Sequence, residues 1–462
     1  MTPVSRSNVQ DVTIGIDIGS TAVKAVAADA DGRVTARVRI PHELRVPAPG
    51  RLEHDADAAW RRGPLAALER LGAVPDVRAV AVAAMVPSLA AVDPAGAPIT
   101  PGLLYGDERG RAPGDPGERA QPLPALGEAE QFLRWTAAAA PGAAGYWPAP
   151  AVANHALAGQ AVIDVATAAT SFPLFDGTGW DAAACAERGA TVEQMPRVQT
   201  IGSAAGRVRG NGPVLAVGAI DALCEQLVAG ADREGDVLVL CGTTLIVWTT
   251  VGEHRQVPGL WTIPHTEPHK SKIGGASNAG GLFLGWVDRV VAQADPAAAE
   301  PRRVPVFSPY IRGERTPFHD PDRRAVLDAL DLTHDAAALR RAAYEASGFV
   351  VRQLIELSGA PVARIVASGG GTLDRSWMQA IADATGRPVE VSEVAEGAAL
   401  GAAFLGRIAA GLETTIADGA RWARTGETVE PNSAWTEPVA DRYRRFLELG
   451  SRRSGALPPA AF

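Results

Sequence analysis

Glycine followed by hydroxyl residues, set between two apolar strands, is an arrangement that can hold an anion, and this chain carries it twice. The first copy is Thr13-Ile14-Gly15-Ile16-Asp17-Ile18-Gly19-Ser20-Thr21-Ala22-Val23-Lys24, and the second is Val237-Leu238-Val239-Leu240-Cys241-Gly242-Thr243-Thr244-Leu245-Ile246-Val247. Glycine lets backbone approach a ligand closely, and consecutive N–H groups with adjacent hydroxyls can cradle phosphate oxygens. The turns lie about one large domain apart, so each is expected to open its own domain, with a nucleotide's phosphates gripped from both sides in the cleft between. Gly19, Ser20 and Thr21, with Gly242, Thr243 and Thr244, are the candidate phosphate contacts.

Two carboxylates and a third glycine turn complete the candidate chemistry. Asp17 stands at a strand end, where a carboxylate either caps a turn or holds hydrated Mg²⁺ against phosphate oxygens. Asp221 follows Val214-Leu215-Ala216-Val217-Gly218-Ala219-Ile220, where a strand gives way to a helix. Alone it reads as a helix N-cap. In the company of both turns and Asp17 it reads as the base that takes a proton from an alcohol nucleophile. Ser368-Gly369-Gly370-Gly371 offers either a plain tight turn or a flat surface for the face of a purine, ahead of a helix carrying Trp377, Met378 and Gln379.

These residues need strands to present them. Ile14 to Asp17, Ala22 to Ala28 and Val34 to Ile40 read as a β-meander opening an α/β domain, followed by an amphipathic helix over Asp57 to Leu71 and a buried strand over Ala79 to Ala84. Gly106 to Gln121 is dense in Gly, Pro and charge and reads as a lid or a disordered tip; Ala137 to Pro150 is a shorter loop of the same kind. A strand at Leu215 to Gly218 and a helix at Asp221 to Ala229 come next. Gly230 to Gly235 is the natural hinge, placing one domain over 1–232 and a second over 233–462. The second contains a strand at Arg364 to Ala367 and helices at Arg375 to Thr385 and Glu437 to Leu449.

Composition narrows the function. The chain has 462 residues, 47% hydrophobic and 21% charged, enough for two sizeable cores. A net charge of −8 without a dense basic block argues against nucleic acid or an anionic membrane as partner and favours a small molecule. Cys185, Cys224 and Cys241 are widely spaced and form neither a disulfide framework nor a zinc pattern, as expected of reduced thiols in the cytoplasm. His265 and His269 are four apart, but Pro264 and Pro268 prevent a helical ligand pair. No apolar run reaches the length of a spanning helix.

The order of "DIGSTAVK", "LLYGDERG", "GAID", "CGTTLIVW", "PYIRGERTPFHDPDRR" and "SGGGTLDRSWMQAIADATGRPVEV" resembles the FGGY carbohydrate kinases, over roughly Thr13 to Ala410. That resemblance implies an α/β protein of two ribonuclease-H-like domains closing on ATP and a sugar, with Mg²⁺ as cofactor and a homodimer by analogy with relatives. Carried over by position, Asp17, Gly19, Ser20 and Thr21 form the first phosphate loop and metal side, and Gly242, Thr243 and Thr244 the second loop. Asp221 is the catalytic base and shares the metal and sugar side. Gly369, Gly370, Gly371 and Gln379 mark the adenosine site. Met85 and Asp107 lie on the sugar side, and Lys24 and Arg109 match basic positions. Arg315 and Glu314, in "GERTP", read as loop architecture.

Three departures bear on the substrate. Ala83-Ala84-Met85-Val86-Pro87 stands where xylulokinases usually carry Gly-Gln-Met-His-Gly, Ala222 replaces an Asn or Gln after the base, and the stretch from Leu133 to Ala161 is short. A sugar pocket poorer in hydrogen bonds is expected. The resulting expectation is a kinase for a small sugar or polyol, a ketopentose such as D-xylulose first among them. Its rivals are a sugar-binding homologue without catalysis and an actin-like ATPase indifferent to sugar.

Overall fold

The computed structural model describes residues 11–72, 74–111, 128–264, 270–320 and 322–451. The chain divides into two compact units. One gathers the described residues up to Val228 together with Glu396–Trp422; the other gathers Ala229–Ala395 and the described residues from Ala423 onward. Glu396–Trp422 groups with the first unit although it lies far along the sequence, and the cause is packing.

In the first unit, β1 (Val12–Ile18), β2 (Ala22–Ala28) and β3 (Val34–Pro41) form an antiparallel meander, and β4 (Val77–Ala84) and β5 (Val214–Ala216) join on the other side parallel to β1. The strand order is β5-β4-β1-β2-β3, extended past β5 by Ala204–Arg207. The second unit repeats this plan. There β6 (Asp236–Cys241), β7 (Leu245–Val251) and β8 (Ser271–Ser277) make the meander, and β9 (Arg364–Ser368) and β10 (Val389–Ser392) continue it in parallel. Each unit is thus a ribonuclease-H-like α/β layer, as expected.

β1 is buried along its whole length, which leaves no room for the alternation of a half-exposed strand. The Gly397–Ala409 helix, built largely of Gly and Ala, lies directly on it. A Cβ at Gly15 would stand 1.7 Å from the Ala399 carbonyl oxygen and 2.5 Å from the Ala403 nitrogen, and one at Gly401 would stand 1.8 Å from the Cys224 carbonyl oxygen. These contacts bind 397–409 to the first unit. Gly15→Ala meets backbone that cannot swing aside, so it is expected to destabilise the protein by about 3 kcal/mol, readable in thermal or urea unfolding.

β8 places Lys272 in the interior of the second unit, fully buried, with Nζ donating to the Ala231 carbonyl at 3.1 Å. Burial lowers its pKa to about 7, against the opposing pull of Asp232 and Asp236. A lysine depressed on folding contributes most above its unfolded pKa of about 10.4, and loses that contribution as pH falls toward the folded value. Urea unfolding should therefore show wild type gaining stability relative to Lys272→Met between about pH 7 and about pH 10.

Elsewhere the expected elements need adjustment. The 57–71 segment begins with a wide π-helical turn, Asp57–Arg62, before the Gly63–Arg70 helix. The presumed loop at 137–150 contains a strand, Gly145–Trp147, and runs into the Ala149–Ala158 helix. That strand joins Ser88–Val92, Gly102–Leu104 and Glu53–His54 in a small antiparallel sheet. Most of the proposed lid, and His265 and His269, lie outside the described residues. All three cysteines are free and buried, and among the described residues no helix is long and apolar enough to cross a membrane.

Candidate active site

In the first unit three strand ends come into line. Ile18 of β1 pairs with Ala84 of β4, and Ala84 bridges in parallel to Ile220, so Asp17 and Asp221 fall beside one row. Gly218 makes this possible, because a Cβ there would lie 1.8 Å from the Val82 carbonyl oxygen. Asp221 opens the Asp221–Ala229 helix with its Oδ1 accepting from the Ala222 N–H at 2.7 Å. It thus bonds the adjacent amide, not the amide two or three residues on that an N-cap takes.

The electrostatics tie the two acids together. Asp17 lies opposite Lys24 in the β1–β2 ladder, with Lys24 Nζ 3.9 Å from Asp17 Oδ2. The Asp17 Oδ1 is buried without a hydrogen-bond partner among the described residues. Burial pushes the Asp17 pKa up to about 7; Lys24 pulls it down and Asp221 pushes it further up. The Asp221 carboxyl is raised chiefly by burial, against the Ala222 N–H and Lys24. Cys224, one turn along the helix, is held as a neutral thiol by burial and then by Asp164, Asp221 and Asp17.

Beside Asp17, the 19–21 turn has its Ser20 and Thr21 carbonyls occupied. Gly19 N–H donates to the Ala22 oxygen, His42 N–H to the Thr21 oxygen, and His54 Nε2 to the Ser20 oxygen at 2.8 Å. The Ser20 hydroxyl shares a 2.9 Å hydrogen bond with Tyr105. The Ser20 and Thr21 N–H groups find no acceptor among the described residues. The second unit uses the same pattern: Gly281 N–H donates to the Gly242 oxygen and Leu282 N–H to the Thr243 oxygen, while the Thr243 and Thr244 N–H groups find no acceptor among the described residues. A Cβ at Gly280 would lie 2.4 Å from the Leu245 nitrogen, so glycine is required for that approach. Thr243 and Thr244 line a recess with Asn278 and Arg312. Turns with occupied carbonyls and open N–H groups suit an anion.

The triple-glycine turn follows β9, whose Ser368 pairs with Leu240 of β6, so it lies beside the 242–244 turn. Gly369 has φ 92°, and a Cβ at Gly371 would strike the Trp377 ring at 2.2 Å and the Cys241 oxygen at 2.7 Å. Gly370 is exposed. Glu314 is buried, accepting from the Ser277 hydroxyl and from the Asn278 and Arg315 N–H groups, with burial pushing its pKa up to about 7. It fastens the loop to the end of β8, the architectural part expected of it.

Three expected ligand residues have other partners. Asp107 is fully buried and accepts from Leu52 N–H, Arg109 N–H and the Arg109 guanidinium, which also reaches Glu53 at 2.7 Å. Its oxygens hold the fold. Met85 packs in the hydrophobic core of the first unit. Gln379 donates to Asp383 and to the Glu430 carbonyl, closing the helix onto its neighbouring segment. Val86 and Pro87 line a pocket with Leu133, Leu174 and Trp180, where the Ser88 and Thr167 hydroxyls are engaged by the protein itself. The hydrogen-bonding groups of that wall are few.

Two ribonuclease-H-like units of one plan, each with a carbonyl-anchored turn, place the fold in the actin-like class. Comparison with known proteins agrees and is more specific. Residues 12–114 match the N-terminal domain and residues 237–410 the C-terminal domain of the FGGY family of carbohydrate kinases. Xylulose kinase of Streptomyces rubiginosus is 28% identical, over 97% of this chain and 96% of its own. Gluconokinase of Bacillus subtilis is 25% identical, over 86% and 87%. The crystal structure of xylulose kinase from Rhodospirillum rubrum superposes with a TM-score of 0.74 at 27% identity, over 95% of this chain and 98% of that one. The chain belongs to the FGGY family of carbohydrate kinases, phosphotransferases that act on sugar hydroxyls with ATP.

Proposed function

We propose that this protein transfers the terminal phosphoryl group of ATP to a hydroxyl of a small open-chain sugar or polyol, a ketopentose such as D-xylulose first among them. The observation that carries the reading is the pairing of Asp17 and Asp221 at aligned strand ends, in the common field of Lys24 and beside a turn with open N–H groups. Asp221 accepts the proton of the attacking hydroxyl. Its raised pKa brings it nearer the operating pH, where a base combines ionisation with proton affinity. The open amides of the 19–21 and 242–244 turns stabilise charge on the phosphoryl oxygens, and the 369–371 turn receives the adenine face.

The residues fit a divalent cation. The partnerless, buried Oδ1 of Asp17 is a carboxylate oxygen in need of one. Among the described residues no group of three or more His, Cys, Asp or Glu side chains gathers, so a cation would rest on one or two carboxylates and on substrate oxygens, as Mg²⁺ does. Asp17 with Asp221 would hold it, and when bound it neutralises charge between the phosphates.

The ketopentose assignment draws on relatives named xylulose kinase that align along nearly the whole chain; others are named gluconokinase, glycerol kinase and apulose kinase. Measured kcat/KM for D-xylulose, D-ribulose, glycerol and gluconate tests it. D-xylulose should lead the series, and a lead by gluconate or glycerol would move the protein to another substrate branch.

A further inference from the structure

The anchoring of the 19–21 turn contains a device that the kinase reading does not require in advance. The Ser20 carbonyl is held by the His54 ring. His54 Nδ1 lies 3.0 Å from Trp60 Nε1. An indole N–H only donates, so Nδ1 is the acceptor; a carbonyl only accepts, so Nε2 carries the proton. Both partners therefore demand the same neutral tautomer.

The surroundings hold that ring in place. His54 is fully buried and pairs with Gly102 in the small sheet, and Trp60 stacks over Gly102 so closely that a Cβ there would meet its ring at 2.3 Å. Asp55 accepts from Ala58 N–H at the start of the turn that carries Trp60. Arg109, clamped by Asp107, grips Glu53 next to His54. His42 faces the His54 ring edge-on, with centroids 4.5 Å apart. Burial and His42 lower the His54 pKa to about 4, which keeps the ring neutral at ordinary pH.

The consequence follows from peptide geometry. The Ser20–Thr21 peptide is trans, as every described peptide is except three that precede proline. In a planar trans peptide the C=O and N–H point in opposite directions. Fixing the Ser20 oxygen on His54 therefore fixes the Thr21 N–H on the opposite side, where it has no acceptor among the described residues. In the second unit, backbone N–H groups of Gly281 and Leu282 do this job for Thr243 and Thr244. In the first unit a side chain does it.

We propose that His54, set in one tautomer by Trp60, is a positioning residue that aims the Thr21 N–H at the transferring phosphoryl group. The proposal rests on the kinase reading of the 19–21 turn. Two variants of similar volume test it. His54→Gln keeps a donor for Ser20 and an acceptor for Trp60; His54→Met keeps neither. With MgATP and whichever acceptor wild type uses, His54→Met should lose about tenfold in kcat, with the acceptor KM within about twofold, and His54→Gln should recover to within about threefold of wild type. Equal activity of His54→Met and wild type, or equal loss in both variants, overturns the role of His54 while leaving the kinase intact. A wild-type chain that forms ADP at the same rate with and without an acceptor overturns the kinase reading, and this role with it. If His54→Met does not fold, long-range ¹H–¹⁵N spectra of wild type decide the matter: a neutral Nε2–H imidazole is expected, and a charged or Nδ1–H ring contradicts the proposal.

Discussion

Asp221→Asn is expected to lower kcat by about a thousandfold with a far smaller loss of affinity for MgATP, because Asp17 still holds the cation. Asparagine has the shape of aspartate and its Oδ1 can still accept from Ala222 N–H, so the helix start should survive. What disappears is the carboxylate that takes the hydroxyl proton. The change also removes one of the influences that raise the Asp17 pKa, so Asp17 should titrate lower in the variant. In wild type the acid limb of the kcat profile should lie above the ordinary aspartate range, because burial raises the Asp221 carboxyl. Steady-state kinetics with calorimetric MgATP titration checks the split; a variant with near-normal turnover removes Asp221 from the chemistry.

Asp17→Asn should have the next largest effect, about a hundredfold in kcat, together with a higher Mg²⁺ concentration for half-maximal rate. Its stability should move the other way. A buried carboxyl raised to about 7 does not oppose folding below its unfolded pKa, and weakens folding progressively as pH climbs from about 4 to about 7. In Mg²⁺-free buffer, the stability of Asp17→Asn relative to wild type should therefore improve across that window, as measured by urea unfolding. A catalytic group held against its own preference for water is the expected trade of stability for function. A variant with unchanged Mg²⁺ dependence would place the cation elsewhere.

Much of the fold was legible because its strands are short, apolar and closed by glycine turns. The Asp221–Ala229 and Arg375–Thr385 helices fall where their sequence signals place them. The long Ala336–Ser358 helix gave no such signal, since its buried face carries charge: Arg341 pairs with Glu345 and Asp383, and Glu345 with Arg442. Paired ions inside a core interrupt the apolar period on which a helix is recognised. The return of Gly397–Ala409 to β1 was hidden for a different reason, since a surface of Gly and Ala announces close approach without naming its partner.

The site shows the same division. Glycine and hydroxyl turns mark themselves, because few other residues allow backbone to lie so near a ligand or a neighbouring strand. A polar residue such as Asp107 in a glycine-rich segment looks available from sequence, and only the fold reveals that it accepts from Leu52 and Arg109. His54 and Trp60 carry no sequence signal that stands alone, because their value lies in a hydrogen-bonded chain to a backbone oxygen distant in sequence. Glu53-His54-Asp55 before an aromatic residue was the one available signal, and it carries no meaning until the 19–21 turn is placed beside it.

Phosphoryl transfer to a sugar hydroxyl can be followed by ³¹P NMR of the purified protein with Mg-ATP and a panel of ketoses, polyols and gluconate. ADP and a new phosphomonoester resonance should rise together, only with a suitable acceptor, and both should vanish in Asp221→Asn. ADP and inorganic phosphate formed at the same rate with or without any acceptor would contradict that transfer.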